Sequence, residues 1–140
     1  MYETVLVPTD GSSQSDVALG HAVTLAHHHD ATVHVLYVAD TNRDSLAAQG
    51  GEVVDALELE GDRITSEAVE RVEPGVDVVG TVETGDPVET ILDYAASVGA
   101  DLVVMGTHGR RGLDRYLLGS TTERVVRLSP IPVLTVGEDD

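Results

Sequence analysis

A chain of 140 residues fits a single domain, residues 1–140, large enough to bury roughly 70% of the surface its unfolded form exposes. It sets 25 acidic residues against eight basic ones, all arginine, for a formal net charge of −17, and it contains no cysteine, phenylalanine or tryptophan. That balance excludes a disulfide framework, a thiolate metal site and thiol catalysis, and with only four tyrosines and no basic face it argues against nucleic acid and membrane as partners.

Residues 4–7 form a short, β-branched apolar run, read as a buried strand that Pro8 ends. Thr9-Asp10-Gly11-Ser12-Ser13 is a polar turn into a helix capped by Ser13, with Ala18, Ala22, Leu25 and Ala26 on its buried face. His27-His28-His29 closes that helix. Adjacent side chains fan out around a helix and cannot converge on one metal, whereas a helix C-terminus favours histidine through its dipole. Residues 31–38 are a second, valine-rich strand, and 40–51 a polar loop. Helical spacing resumes with Val53, Leu57, Ile64, Ala68 and Val72, interrupted at Gly61, its glutamates forming a solvated face.

A third strand covers 76–82. Gly85-Asp86-Pro87-Val88-Glu89 then starts a helix, with Asp86 as cap, Pro87 in the first turn and Glu89 reaching back. Val88, Ile91, Leu92, Ala95 and Ala96 are its expected core face, and Gly99 its C-terminal cap. The unbroken apolar run 102–105 suits a central parallel strand covered on both faces. A last helix spans 121–128, with Val125, Val126 and Leu128 apolar. A final strand over 131–136, opened by Ile131 and closed by Val136, falls at a sheet edge, because Pro130 and Pro132 cannot donate to a ladder. An apolar edge needs covering, by the same strand of a second copy or by the Glu138-Asp139-Asp140 tail.

Between the fourth strand and the last helix lies a loop rich in glycine and arginine. Gly106, Gly109 and Gly119 allow sharp turns and close approach to a ligand, and successive backbone N–H groups make a concavity that suits anions. Gly119-Ser120 stands at a helix start, where free N–H groups and the dipole favour phosphate, and Ser120 with Glu123 has the capping-box spacing. Five of the eight arginines, including Arg110, lie between 110 and 127. A polyphosphate ligand accounts for that local positive field, as does a surface loop whose arginines pair with neighbouring acids.

The strand–helix alternation implies a parallel sheet with helices on both faces, which binds ligands beyond its strand C-termini where the winding reverses. Asp10 and the 106–120 loop meet there. A Walker A lysine is impossible, no G-x-G-x-x-G fingerprint occurs, and no general base held by a third group is evident. No run approaches the ~18 apolar residues of a membrane span, and the opening residues read as a strand rather than a signal peptide, so a cytoplasmic location is expected. The acidic excess resembles that of proteins from salt-accumulating cells and implies a fold that depends on ionic strength.

The spacing Gly106-x2-Gly109-x9-Gly119-Ser120 resembles the nucleotide-binding signature of the universal stress protein family. The opening Val5-Leu6-Val7-Pro8-Thr9-Asp10-Gly11-Ser12, Gly85-Asp86-Pro87 and the ending Ser129-Pro130-Ile131-Pro132-Val133-Leu134 match further landmarks. The resemblance implies an open five-stranded parallel sheet of order 3-2-1-4-5, like that of the adenine-nucleotide alpha-hydrolases. It implies bound ATP, with ADP or AMP as alternatives, and Mg2+ or Mn2+ on the phosphates. Pro8, Thr9 and Asp10 would meet the ribose or the metal, Asp10 being the metal residue. Asp10 also suits a plain Asx turn. The backbone at Tyr37 to Ala39, centred on Val38, would meet adenine beside Met105, while Gly106, Gly109, Arg110, Gly119, Ser120 and Thr121 would cradle the phosphates. The family usually forms homodimers. The function implied is a nucleotide-dependent sensor or regulatory module of the stress response, with slow hydrolysis left open. Alternatives are a dimeric interaction module without nucleotide, or an adenylyl-transferring enzyme, for which the chain has little room.

Overall fold

A computed structural model describes residues 2–40, 51–107 and 119–137. In chain order the elements are β1 (Thr4–Thr9), α1 (Ser13–His29), β2 (Thr32–Asp40), α2 (Gly51–Arg71), β3 (Asp77–Gly85), α3 (Pro87–Val98), β4 (Leu102–Gly106), α4 (Ser120–Leu128) and β5 (Val133–Val136). All pairings are parallel, and the strands lie in the order β3-β2-β1-β4-β5, the expected arrangement. The expected loop and tail at 41–50 and 138–140 fall outside the described residues.

The winding puts α1 and α2 on one face and α3 and α4 on the other. Val5, Val7, Val33, Val35 and Val104 pack with Ala18, Leu19 and Ala22 of α1 and Ala68 of α2. Leu6, Leu36, Val103 and Met105 pack with Val88, Ile91 and Ala95 of α3 and Val125 of α4. Every β4 residue is buried, as its unbroken apolar run requires. Each fully buried Val or Leu contributes about 1.5–3 kcal/mol by leaving water, so these alternating faces dominate the stability. Ala96, expected in the core, is exposed, as are Val126 and Leu128.

Several boundaries differ from the sequence reading, each for a tertiary reason. Pro8 does not end β1. The Glu3 carbonyl accepts the Thr32 N–H toward β2, and the Thr4 carbonyl accepts the Asp101 N–H toward β4. This alternation turns Pro8 toward β4, where the β1–β4 ladder covers only Val5 and Leu6. The missing donor therefore falls where pairing has stopped, and β1 continues against β2 as far as Thr9↔Tyr37. β2 and β3 run on to Asp40↔Gly85, beyond their apolar stretches, because each supplies the other's ladder. β5 begins after Pro132, whose carbonyl accepts the Val103 N–H at 3.0 Å.

The α1 cap is Ser12, not Ser13; its side chain accepts the Ser15 N–H at 3.2 Å. Gly61 does not interrupt α2. Thr65 Oγ1 donates to the Gly61 carbonyl at 2.9 Å, and the bare Cα lets the helix settle on the Tyr37 ring. Val72 lies just past the helix end. The α3 start is as expected: Asp86 Oδ2 accepts the Glu89 N–H at 3.0 Å, Pro87 follows, and Gly99 closes the helix at φ 67°. Asp101 clips the two central strands together by accepting the Glu3 and Thr4 N–H groups at 2.8 and 3.0 Å. Those bonds, Glu3's foremost, hold its carboxyl below the usual aspartate range.

Candidate functional site

From β1 the chain turns through α1 to β2 on one side, whereas β4, β1's other neighbour, leads through α4 to β5 on the opposite side. The winding therefore reverses between the C-terminal ends of β1 and β4, the place where sheets of this kind form a ligand crevice. Thr9 and Asp10 stand at one lip, Gly106 and Thr107 at the other.

The first lip is a hydrogen-bonded turn. Asp10 Oδ1 accepts the Ser12 N–H at 2.9 Å, and Thr9 Oγ1 accepts the Gly11 N–H at 3.1 Å, with Gly11 in the left-handed region at φ 81°. Asp10 therefore does build the Asx turn. Pro8, Thr9 and Asp10 are all half-buried at this end of the sheet. The Ser15 hydroxyl lies beneath, within 3.0 Å of Thr9 Oγ1 and 3.3 Å of Asp10 Oδ1.

The second lip is cross-tied at three points. Thr122 Oγ1, buried, donates to the Gly106 carbonyl at 2.9 Å. The Thr107 N–H reaches the Val136 carbonyl at 3.0 Å, and the Gly119 N–H reaches the Thr107 carbonyl at 2.6 Å. The end of β4, the start of α4 and β5 are thus one unit. Gly119, not Ser120, is the α4 cap residue, and as a glycine it supplies no side-chain cap bond. Ser120 is the first helical residue and is exposed; Thr121 is half-buried. The α4 N-terminus keeps its positive dipole end beside the crevice. A Cβ on Gly106 would stand 3.0 Å from Gln14 Cβ and 3.1 Å from the Gln14 carbonyl carbon. The bare Cα at Gly106 thus makes room for α1.

Register places the remaining residues. Thr9 pairs with Tyr37, so Val38 follows at the same end of the sheet, half-buried, with Tyr37 and Ala39 buried beside it. Met105 is buried beneath Gly106. Gly109 and Arg110 lie outside the described residues. Sequence reasoning missed Ser15 and Thr122. Each is a buried hydroxyl on the core-facing side of a helix, Ser15 three residues before Ala18 and Thr122 three before Val125, so helical periodicity was the available signal.

Among the described residues no three His, Asp or Glu side chains converge into a cluster able to hold a metal ion. Magnesium is commonly held by one or two carboxylates together with substrate phosphates, and that donor set fits Asp10 only with a phosphate ligand present. A cavity of about 40 Å³ between α1 and α2, under Thr9 and Gly11, is far too small for a nucleotide. The ion pairs near it, Arg71–Asp16 at 2.8 Å and Arg63–Glu67 at 3.2 Å, are exposed and contribute little. Among the described residues, no helix is long and apolar enough to cross a membrane.

Comparison with known proteins fits this architecture. The family model for the universal stress protein family matches residues 1–137. Universal stress protein MJ0531 of Methanocaldococcus jannaschii is 38% identical over 140 residues, an alignment covering 97% of this chain and 82% of that protein. Among solved structures, MJ0577 from the same organism superposes with a TM-score of 0.89 at 31% identity, covering 100% of this chain and 99% of the other. A universal stress protein in complex with cAMP superposes with a TM-score of 0.77 at 27% identity, covering 99% of each chain. By sequence, strand order and superposition, the chain belongs to the universal stress protein family.

Proposed function

We propose that this protein binds an adenine nucleotide, ATP or alternatively ADP or AMP, in the crevice between the ends of β1 and β4, and serves as a nucleotide-dependent sensor or regulatory module of the stress response. The observation that carries the reading is that β1 and β4 pair as neighbours and so bring the Thr9–Asp10 turn to the same end of the sheet as Gly106, Thr107 and the start of α4, the last three tied together by Thr122 and Gly119. The relative in complex with cAMP supports an adenine nucleotide as ligand class. Thr9 and Asp10 take the ribose hydroxyls, the backbone around Val38 and Met105 flanks the base, and Gly106, Gly119, Ser120 and Thr121 face the phosphates, with Gly109 and Arg110 completing the cradle. A Mg2+ or Mn2+ ion arrives on the phosphates with Asp10 as its protein carboxylate.

We further propose a homodimer formed through β5 and its approach, residues 131–136. β5 is the sheet's outer strand, and the apolar Leu134, Val126 and Leu128 are exposed on β5 and α4. Those same side chains favour a second reading, a protein-interaction module in which nucleotide plays no part.

Calorimetric titration with ATP and magnesium in molar KCl, on wild type and Gly119→Val, tests the site. Gly119 has φ −63° and ψ 156°, which valine adopts without strain, so the variant should fold. Its branched side chain intrudes where the phosphates meet the α4 N–H groups. We expect micromolar-scale binding by wild type, weakened at least about tenfold in the variant. Unchanged affinity in a folded variant overturns the loop assignment; no binding by folded wild type favours the interaction module.

A further inference from the structure

We infer that Ser15 is a positioning residue that fixes the Asp10 carboxylate for the ribose of the bound nucleotide, an inference that rests on the nucleotide reading above. Ser15 lies in the first turn of α1 and is 6% exposed. Alanine has the higher helix propensity there, and a buried hydroxyl costs free energy unless it is bonded, so the serine needs a polar reason.

Its surroundings supply one. The Thr9 hydroxyl donates to Ser15 Oγ at 3.0 Å, and Ser15 Oγ can donate to the Ser12 carbonyl at 2.9 Å or to Asp10 Oδ1 at 3.3 Å. Ser12 Oγ stands 3.3 Å away as a further neighbour. A hydroxyl has one proton, so these two acceptors share it. The Ser12 carbonyl already receives the Asp16 N–H at 3.1 Å, the first bond of the helix, and does not depend on Ser15. Asp10 Oδ1 meets the Ser12 N–H from the turn and the Ser15 hydroxyl from the helix. Two donors converging on one oxygen from different directions set the rotation of the carboxylate about its Cβ–Cγ bond. Thr9, donating into the same hydroxyl, is fixed with it. A vicinal ribose diol needs an acceptor of defined orientation, since a group preorganised for two donors rejects a sugar that lacks them.

The test is titration of wild type, Ser15→Ala, Asp10→Ala and the double variant with ATP and with 2′,3′-dideoxy-ATP, in molar KCl with magnesium. Ser15→Ala keeps the Ser15 N–H bond to Ser12, so α1 remains capped. We expect wild type to prefer ATP over the dideoxy analogue by about tenfold or more, and Ser15→Ala to cut that preference at least about threefold while dideoxy-ATP affinity stays within about twofold. On the Asp10→Ala background, Ser15→Ala should change neither affinity by more than about twofold. A preference unchanged in Ser15→Ala, or an equal loss for both ligands, overturns the positioning role while leaving nucleotide binding intact. A wild type that binds ATP without discriminating shows that Asp10 does not read the ribose and likewise sinks it. A folded wild type that binds neither ligand overturns the nucleotide reading, and this inference with it.

Discussion

A methyl group placed on Gly61 would be driven into the buried ring of Tyr37, whereas one placed on Gly20, in the middle of α1, would meet nothing within 4 Å. The same substitution should therefore have opposite signs at the two sites. Gly→Ala in a helix gains about 1 kcal/mol of propensity, and Gly20→Ala should keep most of it. At Gly61 overpacking costs about 1–3 kcal/mol and outweighs the gain, because the added Cβ would run into Cδ1 and stand 3.0 Å from Cγ of the buried Tyr37 ring, close to the root of that side chain. Urea midpoints of the two variants check this; a Gly61→Ala protein as stable as Gly20→Ala would mean that the ring yields. His34 provides a pH-dependent case. Its Nδ1 lies 2.9 Å from the Tyr94 hydroxyl, itself 2.9 Å from Thr81 Oγ1, and burial lowers its pKa below the ordinary histidine value. The folded state thus binds that proton less readily than the unfolded chain. The His34 contribution is complete above the unfolded pKa, about 6.5, and is lost as pH falls through the lower folded value. Wild-type stability minus that of His34→Gln should therefore decrease from pH 7.5 to 5.5, the subtraction removing the effect of other groups. A constant difference would contradict the burial argument.

At the scale of elements, β5 carries the sharpest expectation. Val136 is buried, but Leu134 is 39% exposed on the outer strand of the sheet. An edge of this kind invites pairing, and a lysine there is the usual natural deterrent. Leu134→Lys should leave the fold intact and convert the proposed dimer to monomer in sedimentation velocity, with nucleotide affinity little changed; a variant that sediments like a dimeric wild type would place the interface elsewhere. The elements also show what the sequence made legible. Asp86-Pro87 and the run 102–105 could be read directly, because a cap needs specific local chemistry and a doubly covered strand needs an unbroken apolar run. The strand ends at Asp40 and Gly85 could not, because ladder partners extend them past their apolar residues. Pro8 misled for a related reason: its effect depends on which neighbour its missing donor faces. The tandem Ser12-Ser13 fits a cap in either register, and Gly61 reads as a break until Tyr37 is placed beneath it. In the crevice, the switch-point rule brought the Asp10 turn and the end of β4 together. Ser15 and Thr122 escaped because a buried hydroxyl has no pattern apart from the helix face that carries it.

At the scale of the whole molecule a formal net charge of −17 sets acid against acid. Eight arginines cannot neutralise 25 acids, and with no lysine the excess spreads over the surface as mutual repulsion. Among the described residues the ion pairs do little to relieve it: Arg63–Glu67 and Arg127–Glu123 are exposed contacts within single helices, and Arg71 bridges α2 to Asp16 of α1 at a similarly exposed site. Repulsion of this kind is lessened by unfolding and by salt. The Debye length falls from about 10 Å at 0.1 M to about 3 Å at 1 M, so neighbouring carboxylates still interact in dilute buffer and are largely screened in molar salt. The urea midpoint should therefore rise with KCl, most steeply below about 0.3 M, because screening saturates once the Debye length is shorter than the spacing between charges. A salting-out effect on apolar burial would instead keep growing with concentration and depend strongly on the anion. Two comparisons separate these causes. Choline chloride should substitute for KCl if screening is responsible, and lowering the pH toward the carboxylate range should restore stability in dilute buffer by discharging the same acids, against the opposing effects of His34 and of Asp101, whose folded pKa is also lowered. A urea midpoint equal in dilute buffer and molar KCl would mean that the acidic excess does not limit this fold, and that its repulsion is relieved by contacts the present ion pairs do not include.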